Sequence, residues 1–121
     1  MSGIRTHKDL NVWKEAMDLA KQIYCLTRNF PKEEIHGLVS QMRRAAVSIP
    51  SNIAEGAARS SHKEFIRFLY IALGSLAELE TQLLLSKELG FADNSEIDEG
   101  VGRIRKMLAG LIEYLRKHDA G

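Results

Sequence analysis

The run from Phe65 to Leu85 constrains this chain more than any other feature. Phe65, Leu69, Ala72, Leu76, Leu79 and Leu83 recur at three- and four-residue steps, the spacing of one helix face. Ile66, Phe68, Tyr70, Ile71, Leu73, Leu84 and Leu85 spread round much of the remaining circumference, so such a helix is buried on several sides. Arg67, Glu78 and Glu80 fall inside the same window, which makes it a core helix and not a transmembrane one. Ser61 and Glu64 have the spacing of a capping box, and Gly90 offers a C-terminal stop. The pattern predicts a helix from Ser61 to about Leu89, about 43 Å long at 1.5 Å per residue.

A rod of this kind needs partners, and the chain encodes three more helices. From Asp9 to Arg28, the residues Trp13, Ala16, Met17, Ala20, Ile23 and Tyr24 trace one face, and Val12, Leu19 and Leu26 form a second row beside it. Two sets of partners would use so wide a surface. Phe30-Pro31 ends this helix, because a residue before proline is pushed out of the helical region. The next helix is expected from about Glu34 to Ala58, with Ile35, Leu38, Met42, Ala45, Ile49 and Ile53 facing inward. Pro50 interrupts it, removing the amide that would bond the carbonyl of Ala46 at a cost of about 3 kcal/mol in a regular helix. The stripe continues through Ile53, which predicts a kink; the alternative is a break with Ser48, Ser51 or Asn52 capping a new helix. In the last segment Asp93 and Glu96 offer a second capping box, and Ile97, Val101, Ile104, Leu108, Leu111 and Leu115 form the narrow seam of a peripheral bundle helix.

Composition agrees: Leu (15) and Ala (12) far outnumber Val (4) and Thr (3), so strands have little material. A chain of 121 residues is one domain, spanning 1–121 with an ordered core of about 9–117. Short connections between long helices give an all-α, antiparallel up-down-up-down four-helix bundle with its second helix kinked at Pro50. The apolar excess on the first and third helices exceeds what a lone bundle hides, and points to self-association. A single cysteine and the polar start Met1-Ser2-Gly3-Ile4-Arg5, which lacks a leader's apolar run, place the chain in the cytoplasm with no membrane partner.

Chemistry-bearing patterns are sparse. A di-metal bundle carries a Glu-x-x-His unit on each of two helices, and only Glu33 and His36 have that spacing. Cys25 has neither a CxxC partner nor a flanking cation, and reads as a buried structural thiol. Gly74-Ser75 lacks the second glycine of a nucleophile elbow and reads as a point of close helix approach. Glu78 and Glu80 are two residues apart and diverge on a helix. The expectation is a protein that is not an enzyme and holds no cofactor or metal. The net charge of +1 excludes a broad electrostatic field, so nucleic-acid contact would need a local patch. Basic residues cluster at Arg43-Arg44, Lys63 with Arg67, Arg103-Arg105-Lys106 and Arg116-Lys117, of which Arg43, Arg44, Lys63, Arg67, Arg103 and Lys106 are the candidate contacts; no helical segment is strongly basic.

Several stretches carry a resemblance. They are Asp9-Leu10-Asn11-Val12-Trp13, Leu38-Val39-Ser40-Gln41-Met42-Arg43-Arg44-Ala45-Ala46, Ser48-Ile49-Pro50-Ser51-Asn52-Ile53-Ala54-Glu55-Gly56 and Gly74-Ser75-Leu76-Ala77-Glu78-Leu79-Glu80-Thr81-Gln82-Leu83. From about Leu10 to Leu115 the chain resembles the four-helix-bundle proteins encoded within intervening sequences of bacterial large-subunit ribosomal RNA genes. The resemblance implies a ring-like homopentamer without known catalysis. A related branch, the accessory variability determinant of diversity-generating retroelements, implies RNA or DNA as a partner, although this chain lacks that branch's basic charge. Within the signature, Gln41, Pro50, Asn52, Glu55, Gly56 and Gly74 are expected to be structural. Asn52 or Gln41 would bond carbonyls near Pro50, and Arg43, Arg44 and Glu55 would pair across helices. The function expected is an oligomeric, non-catalytic scaffold or adaptor that binds RNA; the alternative is a protein-binding module without nucleic-acid contact.

Overall fold

A computed structural model describes residues 6–118, so the opening stretch Met1 to Arg5 lies outside the described residues. Four helices follow one another: α1 (Asn11–Thr27), α2 (Leu38–Ala57), α3 (His62–Glu88) and α4 (Ser95–Lys117). Short 3-10 turns at His7–Asp9 and Lys32–Glu34 precede α1 and α2, and no strand occurs among the described residues. α1 packs on α2 and α4, and α3 packs on the same two, which leaves α1 opposite α3 and α2 opposite α4.

Pairs across each seam fix the direction of the helices. Arg43 of α2 reaches Thr27 at the end of α1, Ser48 meets Ser75, and Met42 meets Ser86. Arg105 and Arg116 of α4 reach back to Glu80 and Tyr70 of α3, while Arg103 and Glu96 engage Glu15 and Gln22 of α1. In the α2–α3, α3–α4 and α1–α4 seams the residue numbers run in opposite senses, which sets α1 antiparallel to α2 as well and makes the bundle up-down-up-down.

The boundaries follow from local chemistry. Ser61 accepts from the Glu64 amide at 3.2 Å, the cap expected for α3. At the other end Gly90 adopts φ 77°, with Gly90 N–H on the Lys87 carbonyl and Phe91 N–H on that of Ser86, a Schellman stop only glycine fills without strain. Two starts differ from the sequence expectation. α2 begins at Leu38 and not Glu34, because the backbone from Pro31 to Gly37 tightens into 3-10 bonding and the Glu34 carboxylate caps the Leu38 amide at 3.3 Å. Ile35 is consequently 55% exposed instead of inward. α4 is capped by Asn94, whose Oδ1 accepts from the Ile97 amide at 3.0 Å, and Asp93 instead pairs with Lys87.

α2 continues through Pro50 as one helix, so the alternative of a break is overturned. Asn52 bonds the carbonyl and the hydroxyl of Ser48 one turn below, at 2.8 and 2.9 Å, and gives this turn side-chain bonds beside its backbone ones. The core runs the length of the bundle: Leu19, Ile23, Met42, Ile49, Ile53, Leu69, Leu76, Leu79, Ile104, Leu108 and Leu115 are fully enclosed. On α4 the inward seam uses Ile112, with Leu111 half-buried beside it. Among the described residues α3 alone is long and apolar enough to cross a membrane, yet its stripe from Phe65 to Leu79 forms the shared core with the other helices.

Candidate functional site

α2 has two neighbours and treats them differently. Against α3 it packs so closely that a Cβ on Gly56 would lie 2.8 Å from Phe68 Cβ and 2.9 Å from the Phe65 ring. Gly56, and not Gly74, is therefore the point of close approach; Gly74 is exposed with open space where a side chain would stand. Against α1 an open cleft of about 730 Å³ borders the seam. Trp13, Met17, Ala20 and Tyr24 of α1 face Val47, Pro50 and Ala54 of α2 across it, with Lys21 and Arg28 at its edge.

The cleft resolves the two apolar rows of α1. The line that enters the core is Val12, Ala16, Leu19, Ile23 and Thr27, while Trp13, Met17 and Ala20 stay half-buried and Tyr24 is 41% exposed. Of the face traced from sequence through Trp13, Ala16, Met17, Ala20, Ile23 and Tyr24, Ala16 and Ile23 enter the core and the rest borders an open groove. Cys25 is also exposed, which overturns its assignment as a buried thiol; position 25 lies about 200° round the helix from Ile23.

On the far side of α2, the outer edge of its seam with α3 is polar. Gln41, Arg44 and Ser48 face Ser75 and Glu78 round a shallow cleft of about 390 Å³. Stretches distant in sequence, those that carried the resemblance, meet here. Ser48 and Ser75 share a hydrogen bond of 2.8 Å, and a hydroxyl paired with a hydroxyl has no base to activate it. Glu33 and His36 are both exposed, and among the described residues no group of three or more His, Cys, Asp or Glu could hold a metal.

The candidate cations do not converge. Arg43 is half-buried and turned toward α1, donating to Thr27 Oγ1 at 3.0 Å and the Tyr24 carbonyl at 3.3 Å, with its guanidinium 4.5 Å from the centre of the Tyr24 ring. It serves the C-terminal carbonyls of α1, a favourable place for a cation. It does not pair with Glu55, which instead engages Arg59 within α2 at 3.4 Å. Arg44 is exposed on the polar cleft. Lys63 and Arg67 lie at the opposite end, with Lys63 about 18 Å along α3 from Ser75. Arg103 pairs with Glu15 at 2.9 Å, and with exposed Lys106 it sits on α4, diagonally across the bundle from α2. Arg105, in the same basic cluster but not among the candidate contacts, is held by Glu80 at 2.6 Å.

Comparison with known proteins agrees with this architecture. A solved structure from Bacteroides thetaiotaomicron VPI-5482, of a protein of unknown function from the S23 ribosomal protein family, superposes with a TM-score of 0.74 at 26% identity, covering 84% of this chain and 97% of that one. No curated protein matches the chain. Residues 8–112 match the family described as the 23S rRNA-intervening sequence protein, and the chain belongs to that family.

Proposed function

We propose that the chain acts as a non-catalytic scaffold in a ring of identical copies, five by the resemblance, and that the ring binds RNA. The observation that carries the assembly is the presence of two disjoint apolar surfaces. One is the α1–α2 cleft; the other lies at the C-terminal end of α3 and the residue that caps it, where Leu85 and Leu89 are 47% and 53% exposed. The two share no residue, so a copy that offers one to the next copy's other makes a head-to-tail contact, the kind that closes into a ring. The bend expected at Pro50 belongs to the same picture, since Pro50 lines the cleft. RNA is the proposed partner because the family name ties these proteins to 23S rRNA intervening sequences. The resemblance to the accessory variability determinant points the same way.

Sedimentation equilibrium at micromolar concentration tests the ring: a multimer is expected, and a monomer defeats it. Pull-down of RNA at two salt concentrations tests the partner, since phosphate-driven capture falls steeply as salt rises. One observation favours the second reading, a protein-binding module. Arg43, Arg103 and Arg105 are all engaged within the bundle, and salt-independent recovery of protein without RNA would decide for it. Arg43→Ala with Arg44→Ala tests the sequence expectation that these two contact RNA: weakened capture with the ring intact supports it, and unchanged capture removes these arginines from the site.

A further inference from the structure

The up-down-up-down path brings the start of α1, the α2–α3 turn and the end of α4 to one end of the bundle, and charge is not shared evenly between the two ends. At this end Lys14, Arg59, Lys63, Arg67, Arg116 and Lys117 stand against Glu15, Glu55, Glu64 and Glu113. Glu55, Glu64 and Glu113 pair with Arg59, Arg67 and Lys117 at 3.4, 3.9 and 3.6 Å, while Lys63 and Arg116 have no carboxylate partner among the described residues. At the other end, residues 28–38 and 84–99 carry Arg28, Lys32 and Lys87 among a clear majority of carboxylates. A near-zero net charge therefore conceals an axial separation of sign.

Two of the three exposed tyrosines stand at this end, and the third, Tyr24, stands at the other beside Arg43. Tyr70 is 47% exposed, with its hydroxyl accepting from Arg116 at 2.6 Å, and Tyr114 is 40% exposed and stacked on His118 with ring centres 4.2 Å apart. At the opposite end Phe30 is buried and packs against half-buried Phe91. Cations beside exposed tyrosines, with the Arg116 guanidinium 5.6 Å from the centre of the Tyr70 ring and one face of Tyr114 turned to His118, offer an unpaired strand contacts for its phosphates and its bases.

We propose that this end of the bundle, with Lys63, Arg67, Arg116 and Lys117 round Tyr70 and Tyr114, is a docking surface for single-stranded nucleic acid. The proposal rests on the RNA reading above and moves the contact away from Arg43 and Arg44. Cyclic symmetry strengthens it, because rotation about one axis sets the basic end of every copy at the same height and joins modest patches into one rim.

Fluorescence anisotropy of the full chain with a labelled, mixed-sequence RNA, and with DNA of the same sequence, tests it. Lys63→Glu with Lys117→Glu is expected to weaken binding by about tenfold or more near physiological salt and to flatten the salt dependence. Lys32→Glu with Lys87→Glu makes the same change in net charge at the opposite end and is expected to leave affinity within about twofold. Tyr114→Ala is expected to cost about fivefold or more, the loss of one stacked base. Circular dichroism and sedimentation establish that each variant keeps its fold and assembly. Wild-type binding that responds equally to both lysine pairs overturns this assignment while leaving the RNA reading intact. Failure of the wild type to bind either strand at low salt defeats both. Displacement of the strand by polyglutamate as readily as by unlabelled RNA also overturns the assignment, since that polyanion has no bases to stack and identifies an acidic protein segment as the fitting partner.

Discussion

The two seams of α2 show how one helix divides its circumference between folding and display. Toward α3 the closeness at Gly56, the shared core and the Ser48–Ser75 bond make a closed seam. Toward α1, Arg43 is anchored on the end of α1, and the cleft lined by Pro50 borders the seam. Closure on one side supplies stability, and opening on the other leaves apolar surface that a single copy does not cover.

Substitutions can break this contrast or sharpen it. Leu76→Ala, in the enclosed stripe of α3, is expected to lower unfolding free energy by about 2–5 kcal/mol, read by denaturant titration. Arg43→Ala removes a charged donor from buried Thr27 and is expected to cost about 1.5–3 kcal/mol, less if water replaces the half-buried guanidinium. Gly56→Ala forces Phe65 and Phe68 to shift and is expected to cost about 1–3 kcal/mol; a stability equal to wild type would show that the α2–α3 seam is not tight. Arg103→Ala, which breaks an exposed pair, should change stability by less than about 1 kcal/mol. Val47→Asp in the open cleft should move stability least, within about 0.5 kcal/mol for the isolated subunit, yet shift sedimentation from multimer to monomer. A multimer that survives Val47→Asp takes the cleft out of the assembly.

Much of the fold was legible because helical periodicity reports burial directly. The stripe from Phe65 to Leu79 is the core line of α3, and Ser61 caps it as its spacing required. The starts of α2 and α4 were less legible because several polar residues competed to cap each. Glu34 caps from a preceding 3-10 turn instead of lying in the helix, and Asn94 displaces Asp93 by one residue. The site was harder still. Periodicity marks a residue as apolar-facing without saying whether a neighbour closes over it, so Trp13 and Met17 looked like core and instead border a groove. Basic doublets such as Arg43-Arg44 looked alike in sequence, yet adjacent helix positions point about 100° apart, one to the carbonyls of α1 and the other to solvent. The axial separation of charge emerges only when segments far apart in the chain are folded to a common end.

Because an even number of antiparallel rods returns the chain to where it started, an affinity tag joined near α1 or after α4 would sit beside the basic surface. A polyhistidine tail there would add its own imidazoles to the measurement. The connection between α3 and α4, at the far end, is the cleaner place for a fluorophore or a tether.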